Sequence, residues 1–187
     1  NITLTLNKKD RLGITGAIGS GKSTLINILS GLERKFDGDI YLSGKLFDDY
    51  SHVELRKYIS QVHQKPFLFA DSIKNNISMD QKISDQEIWR ILDISGLKQD
   101  IETFDDGIET SLGEWGINLS GGQKQRLTLA RALSRKPKLL FLDDCLSAVD
   151  TITEEQILQN LDTELKETTL VWVAHRKSTL KYCNKFL

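Results

Sequence analysis

The chain has 187 residues, of which 39% are hydrophobic and 27% charged, and its formal net charge is −1 at neutral pH. This size and composition are typical of one globular domain with a sizeable core. The balanced charge gives no indication of nucleic-acid binding, which usually comes with a basic excess. The sequence has no apolar run long enough to cross a bilayer, so we expect no direct membrane insertion. Two cysteines are too few for a disulfide framework, and we expect reduced thiols.

The first part of the chain reads as short strands separated by polar turns. Apolar and polar residues alternate over residues 2–6, which predicts a half-buried strand, and residues 11–15 and 39–43 predict two more. A weak helical pattern over residues 53–58 precedes a strand pattern over residues 59–63. Because the chain starts inside a strand-like alternation and stops just after an apolar residue, we expect a domain truncated at both ends.

A glycine-rich segment after the second predicted strand carries the pattern G-x-x-x-x-G-K-[ST]. Glycines let successive backbone N–H groups turn toward an anion, and the helix predicted from about Ser23 adds its positive N-terminal end. Lys22 can reach the β- and γ-phosphates of a nucleotide, and the Ser23 hydroxyl can coordinate Mg²⁺. The sequence therefore predicts a phosphate-binding segment, called the phosphate loop below. It consists of Gly16, Ala17, Ile18, Gly19, Ser20, Gly21, Lys22, Ser23 and Thr24.

A long helical pattern occupies residues 72–133. Ser84 and Glu87 are predicted to form a capping box at the start of one helix, because their spacing allows each side chain to bond the backbone N–H of the other. The apolar residues that follow predict a core-facing stripe at Ile88, Ile91, Leu92 and Ile94. Ser120 is predicted to begin another helix that ends near Pro137.

Two continuous apolar runs, over residues 139–142 and 169–174, are typical of strands buried on both faces of a parallel sheet. Residues 154–165 between them predict an amphipathic crossover helix, and this order indicates an α/β nucleotide-binding core. Asp143 and Asp144 directly follow the first run, so Asp143 can hold Mg²⁺ through water while Asp144 faces the γ-phosphate. The alternative for these two acids is an ordinary surface turn.

The pentapeptide Leu119-Ser120-Gly121-Gly122-Gln123 is a glycine-rich helix start and hence a second predicted anion site. Lying between a phosphate loop and an apolar strand with two aspartates, it resembles the signature of ABC-type ATPases. The resemblance covers nearly the whole chain. It implies a P-loop NTPase (RecA-like) core with a mainly parallel sheet over about residues 1–64 and 135–187, including a truncated N-terminal antiparallel β portion. It also implies a helical signature subdomain over about residues 65–134.

The resemblance assigns roles to further residues. Gln64 matches the glutamine-loop residue, expected to touch Mg²⁺ and the membrane-domain contact, and His175 matches the switch histidine that holds the γ-phosphate. Residues 147–150, Ser-Ala-Val-Asp, match the D-loop. The implied ligands are ATP and Mg²⁺, with Ser23, Gln64 and Asp143 at the metal. The implied catalytic residues are Lys22, Gln64, Asp144 and His175, and the signature residues Ser120, Gly121, Gly122 and Gln123 bind the nucleotide held by another protomer.

Two segments resemble the exporter branch of this family. Residues 110–116, Thr-Ser-Leu-Gly-Glu-Trp-Gly, resemble the X-loop, although Trp115 stands where exporters commonly carry Arg, and residues 67–69 resemble the groove where a coupling helix docks. The resemblance implies two partners, a second cassette (a heterodimer more than a homodimer) and the coupling helices of a transmembrane domain, at the cytoplasmic face of the cell membrane. The family's adenine-stacking aromatic residue would lie upstream of Asn1, so we expect base recognition to be largely missing.

Asp144 departs from the family pattern, because hydrolysing members carry Glu at this position. The missing methylene withdraws the carboxylate by roughly 1 Å, and a displacement of that size can cost about a hundredfold in rate. Our hypothesis is that the site on this chain's phosphate loop binds ATP but hydrolyses it slowly, while the signature completes a faster site on a partner. The alternatives are a regulatory cassette that does not hydrolyse ATP and a soluble ABC-type ATPase.

Overall fold

The computed structural model describes residues 2–173 and 176–187, so His175 lies outside the described residues. The chain divides into two compact units. The first unit comprises Asn1–Gln61, Pro137–Asp143 and Glu167–Leu187, and the second unit comprises Val62–Lys136 and Asp144–Lys166.

The strands follow the predicted order along most of the chain. They are β1 Arg11–Ile14, β2 Tyr41–Leu42, β3 Lys45–Leu46, β4 Ile59–Val62, β5 Leu139–Asp143, β6 Thr169–Val173 and β7 Lys185–Phe186. A five-stranded sheet has the order β4-β5-β6-β1-β7, and its β5–β6, β6–β1 and β1–β7 pairs are parallel. Strands β2 and β3 form a separate antiparallel sheet. The prediction of a mainly parallel sheet is therefore confirmed.

Most of the helices lie close to the predicted positions, whereas the last one was not predicted. They are α1 Lys22–Leu29, α2 His52–Tyr58, α3 Ile73–Ser78, α4 Asp85–Ile94, α5 Lys98–Glu102, α6 Gly121–Ser134, α7 Thr151–Glu164 and α8 Lys177–Leu180. Short 3₁₀ helices occur at Phe47–Asp49, Gly107–Glu109 and Glu114–Gly116. Within the part of the chain that the structure describes, none of these helices has the length and apolar character needed to cross a membrane.

The core of the first unit forms where α1 and α2 cover the parallel sheet. Ile26 of α1 is fully buried, and it belongs to one apolar cluster with Leu12 of β1, Phe141 of β5 and Val171 of β6. Each such side chain contributes about 1.5–3 kcal/mol through the surface it removes from water. The strand residues are buried on both faces, which explains their continuous apolar sequence.

The second unit is built mainly of helices that pack against one another. Helix α6 packs against α3 and α4, and α4 also packs against α7. The predicted core-facing stripe on α4 is confirmed, because its four members are buried: Ile88, Ile91, Leu92 and Ile94. Helix α7 begins at Thr151, earlier than predicted, because Asp150 caps it.

Two strand predictions in the first unit are wrong in detail. Residues 2–6 contain no strand, and Ile2 and Leu4 are 56% and 36% exposed. Alternating polarity favours a strand only where a neighbouring backbone supplies hydrogen bonds. Residues 39–43 were expected to form one strand, but Ser43 and Gly44 both have positive φ (54° and 81°) and turn the chain from β2 into β3. A two-residue turn of this kind is typical of hairpins.

The predicted capping box at α4 is only half present. The Ser84 hydroxyl accepts a hydrogen bond from the Glu87 N–H at 3.3 Å, as predicted. The Glu87 carboxylate instead forms ion pairs with Arg90 at 2.9 Å and with Lys136 at 3.1 Å. Hydrogen bonding to Arg90, helped by Lys136, lowers the pKa of Glu87 to about 2. Two cations outcompete one backbone N–H for this carboxylate, because charge-assisted hydrogen bonds are the stronger ones.

Candidate functional site

The phosphate loop connects β1 to α1 through an exposed turn built on glycines. Gly16, Gly19 and Gly21 have φ values of 150°, 79° and 88°, a region that other residues rarely adopt. Gly21 is the N-cap of α1 in a left-handed conformation, and no side chain of the described residues caps this helix start. The first N–H groups of α1 therefore point out of the loop without a side-chain acceptor, which is the arrangement that binds anions.

Lys22 folds over the same loop. Its ammonium donates hydrogen bonds to the carbonyl oxygens of Gly16 at 2.9 Å and Ala17 at 2.8 Å. Ser23 and Thr24 are exposed on the first turn of α1. The loop thus brings one cation, several backbone donors and two hydroxyls to one face. A phosphate group fits these donors, and the Ser23 hydroxyl is an oxygen ligand of the type that Mg²⁺ prefers.

Asp143 lies at the same edge of the sheet as the phosphate loop. It is the last residue of β5 and pairs in register with Val173, which also pairs with Ile14, the last residue of β1. Because neighbouring strands lie about 4.8 Å apart, the ends of β5 and β1 are separated by about 10 Å. The Asp143 side chain is 5% exposed. The Asp143 carboxylate and the Ser23 hydroxyl are oxygen ligands, so the residues at this edge would fit Mg²⁺.

Gln64 and Asp144 meet in the second unit. The Gln64 side-chain amide donates a hydrogen bond to the Asp144 carboxylate at 3.3 Å. Asp144 has a positive φ of 44°. Aspartate is one of the few residues besides glycine that adopts this left-handed conformation readily. The structure therefore brings together two of the predicted catalytic residues, and the backbone at position 144 suits the aspartate that stands there.

The signature segment, residues 119–123, forms the start of α6 as predicted. The Ser120 hydroxyl accepts the Gln123 N–H at 3.2 Å, and the Gln123 side-chain oxygen accepts the Ser120 N–H at 2.9 Å. This reciprocal pair is a complete capping box. Position 122 also requires glycine, because a Cβ there would lie 2.9 Å from the carbonyl oxygen of Ala148.

Two residues that the sequence analysis did not identify hold the signature segment. The Gln123 side-chain amide donates to one oxygen of Asp100 at 2.7 Å, and Arg126 pairs with the other oxygen at 2.8 Å. Arg126 also donates to the carbonyl oxygen of Gly96. Asp100 lies in α5, about 20 residues before α6 begins, and no local sequence pattern links the two. Only a folded structure or a set of related sequences could have identified its contact with the signature segment.

The D-loop, residues 147–150, lies between β5 and α7. Asp150 is the N-cap of α7, and one of its carboxylate oxygens accepts the N–H groups of Ile152 at 3.1 Å and Thr153 at 3.0 Å. The hydrogen bond from the Thr153 backbone is the main reason why the pKa of Asp150 lies below its ordinary value. Asp150 therefore remains ionised at neutral pH and fixes the end of the D-loop to the helix.

Three exposed aromatic rings form a patch that we call the aromatic surface. Phe67 packs edge-on against Phe69, with ring centroids 4.9 Å apart, and edge-on against Trp115 at 5.1 Å. The three side chains are 45%, 41% and 65% exposed, respectively. Arg131 donates to the Phe67 carbonyl oxygen at 2.8 Å and lies over the Phe69 ring. Burial lowers the pKa of Arg131 to about 10, so it stays charged at neutral pH.

The sequence profile that describes ABC transporters matches residues 1–147. The chain belongs to the ABC transporter family. The cassette is 39% identical over its whole length to a putative export ATP-binding/permease protein of Rickettsia typhi and covers 33% of that protein. It is 42% identical over 96% of its length to the multidrug resistance-like ATP-binding protein MdlB of Buchnera aphidicola, of which it covers 31%. The cassette thus spans about a third of the length of these relatives.

A solved structure agrees with this family assignment. A bacterial Atm1-family ABC exporter with ATP bound superposes on 96% of the cassette with a TM-score of 0.91 and 32% sequence identity, and the cassette covers 32% of that chain. The resemblance to ABC-type ATPases and the α/β fold expected from it are confirmed. The chain is a nucleotide-binding domain of the ABC type, related to exporters.

Proposed function

We propose that this cassette binds and hydrolyses ATP as part of a membrane exporter, and that nucleotide-driven pairing of two cassettes drives substrate export. The observation that carries the proposal is the presence of two exposed glycine-rich helix starts in one ABC-type domain. The first has Lys22 over a loop of backbone donors, and the second is the signature segment with Ser120 as its N-cap. Two anion sites on one domain are what an ATP held between two domains requires.

Each proposed contact with ATP has a physical basis. Lys22 and the backbone N–H groups of the phosphate loop bind the β- and γ-phosphates, and they stabilise the charge that develops as water attacks. Ser120 and Gly122 bind the γ-phosphate of the nucleotide on the opposite cassette. Ser23, Gln64 and Asp143 are the residues proposed to hold Mg²⁺, which neutralises phosphate charge when bound. His175 is proposed to contact the same γ-phosphate.

The whole protein is proposed to be a dimeric exporter, with its cassettes at the cytoplasmic face of the membrane. Several relatives that match this chain are named as export ATP-binding/permease proteins. The aromatic surface supports a membrane-domain partner, because a compact group of exposed rings is typical of a docking site for another protein segment. We propose that it receives the coupling helices, with Trp115 in the position where exporters commonly carry Arg.

The site on this chain's own phosphate loop is proposed to hydrolyse ATP slowly. Asp144 has a shorter side chain than glutamate, and its carboxylate accepts a hydrogen bond from Gln64 at 3.3 Å. Both features withdraw it from an attacking water, which must lie within about 2.6–3.2 Å of a general base. The same features also favour a second candidate function, a regulatory cassette that pairs on ATP but does not hydrolyse it.

Asp144→Glu tests the slow site. In the assembled full-length protein, ATP hydrolysis at the site on this chain's phosphate loop should rise by up to about a hundredfold if carboxylate reach limits the reaction. The left-handed backbone at position 144 is less favourable for glutamate, so the melting temperature should be measured in parallel. Equal turnover in a stably folded variant would contradict the proposal. Single-turnover hydrolysis of radiolabelled ATP separates a slow site from a regulatory one, because a regulatory site gives no product.

A further inference from the structure

Gln125 lies one turn into α6 and is 4% exposed, yet its side-chain amide bonds outside the helix. The amide oxygen accepts the N–H of Ala148 at 2.9 Å. The amide nitrogen donates to the Ser147 hydroxyl at 3.1 Å and, in a longer hydrogen bond of 3.5 Å, to the carbonyl oxygen of Gln64. A backbone N–H can only donate and a backbone carbonyl can only accept, so these partners fix the orientation of the amide.

These bonds connect three segments that have separate proposed roles. Gln125 belongs to the helix of the signature segment, Ala148 to the D-loop, and Gln64 to the glutamine loop. Gln64 in turn bonds to Asp144, which lies on the chain just before the D-loop. The second unit therefore contains a closed ring of contacts. Gln125 of α6 bonds to Gln64, Gln64 bonds to Asp144, and the chain from Asp144 through the D-loop returns to Gln125 at Ala148.

Both backbone polar groups of Ala148 contact α6. Its N–H is bonded by Gln125, and its carbonyl oxygen lies so close to Gly122 that a Cβ there would approach to 2.9 Å. The start of α6 cannot shift along its axis without moving this peptide or breaking both contacts. Gln125 is buried, and a buried amide that loses its partners is costly, so the two segments should move together.

We propose that Gln125 is a positioning residue, which holds the D-loop and Gln64 in register with the signature segment. The inference rests on the proposed ATP hydrolysis between two cassettes. When a signature segment engages a nucleotide, Gln125 transmits the position of α6 to the two loops on either side of Asp144. It does not touch nucleotide itself, and it acts through Ser147, Ala148 and Gln64.

The test uses the full-length protein in its assembled, membrane-embedded form. Gln125→Ala removes all three bonds, and kcat for ATP should fall about tenfold, since small displacements of reacting groups have effects of this size or larger. The dissociation constant for ATP should stay within about twofold of the parent value, because the phosphate loop is a separate part of the fold. Gln159→Ala is the matched control. Gln159 is an exposed glutamine whose side-chain amide donates a hydrogen bond to Glu155 within α7, and its replacement should leave kcat unchanged.

A double-mutant cycle with Ser147→Ala identifies the route. If Gln125 acts through the D-loop, the double variant should lose little more activity than Gln125→Ala alone, because both changes break the same contact. A residue that only supports the fold would lower the melting temperature and leave kcat per folded molecule unchanged. That result, or fully additive losses in the cycle, would overturn the inference.

A second substitution keeps the test decisive if Gln125→Ala does not fold. Gln125→Glu has nearly the same volume and can still accept the Ala148 N–H, but in its ionised form it cannot donate to the Gln64 carbonyl oxygen. A folded Gln125→Glu protein with the parent kcat overturns the inference, and one with a lowered kcat and a parent-like ATP dissociation constant supports it. A parent protein without ATP turnover would instead contradict the proposed function, so the two failures are distinguishable.

Discussion

The phosphate loop and the signature segment are both glycine-rich helix starts, but they are held in place differently. Helix α1 begins at a left-handed glycine, and no described side chain caps it. Helix α6 begins with a complete capping box, and Asp100 and Arg126 fix the glutamine of that box. The phosphate loop is thus held by its own backbone and one lysine, whereas the signature segment is held by side chains of α5 and α6.

This difference has consequences for substitutions. A change in the phosphate loop should remove proposed contacts with ATP and few contacts with the rest of the protein, because the loop is exposed. A change around the signature segment breaks internal hydrogen bonds, so it should alter stability as well as activity. The predictions below test this contrast.

Lys22→Ala should have the largest effect. Removing the Lys22 ammonium, which folds over the phosphate loop, should lower kcat/KM for ATP by about a hundredfold or more, since this charge is proposed to stabilise the transition state. The melting temperature should hardly change, because within the described residues the ammonium donates hydrogen bonds to the carbonyls of its own loop. Steady-state ATPase assays and thermal melting measure both quantities. Lys35→Ala, at an exposed position beyond α1, is the control and should match the parent. A large loss of stability in Lys22→Ala would contradict the contrast.

Asp100→Asn should destabilise the protein by about 2 kcal/mol, because an amide cannot accept from both Gln123 and Arg126 without placing a donor against a donor. Denaturant unfolding of the parent and the variant measures the difference. Asp105→Asn changes an exposed aspartate of the same unit and should leave the free energy of unfolding unaltered. If the two variants behave alike, the signature segment does not depend on this carboxylate.

Gly121→Ala and Gly122→Ala form a matched pair on the first turn of α6. An added Cβ at Gly122 meets the Ala148 carbonyl oxygen at 2.9 Å, whereas one at Gly121 lies an ordinary 3.7 Å from the Ala148 Cβ. Gly122→Ala should therefore cost about 1–2 kcal/mol of unfolding free energy through overpacking. Gly121→Ala should be neutral or slightly stabilising, because alanine favours a helix. If melting curves show Gly121→Ala to be less stable than Gly122→Ala, the D-loop does not approach α6 closely at position 122.

Glu87→Gln should have the smallest effect, about 0.5 kcal/mol at neutral pH, because its partners Arg90 and Lys136 are 48% and 72% exposed. The pKa of Glu87 is lowered to about 2 in the folded protein. The stabilisation is therefore complete above the ordinary glutamate pKa of about 4.3 and is lost as pH falls toward the folded value. Melting temperatures of parent and variant, compared from pH 7 to pH 3, should move closer together at the acid end. A gap that widens with acid would contradict the ion pairs.

The sequence alone determined the features that depend on local backbone chemistry. The glycines of the phosphate loop, the capping serine at position 120 and the buried runs of β5 and β6 each follow from residues close together in the chain. Their physical basis is short-ranged, since it consists of permitted φ values, a side chain that reaches its own helix start, and an apolar run of strand length. These features were sufficient to predict the fold class and the family.

Only the tertiary structure decided which hydrogen-bond and ion-pair partners the polar side chains have. Residues 2–6 have the alternating polarity of a strand, but they pair with no strand among the described residues. The Glu87 carboxylate forms ion pairs with Arg90 and Lys136 instead of accepting the backbone N–H of Ser84. Asp100 and Gln125 were not recognised as parts of a site, because their partners lie some 20 residues or more away. Hydrogen bonds and ion pairs between distant residues depend on where the fold places both groups, and no local pattern contains that information.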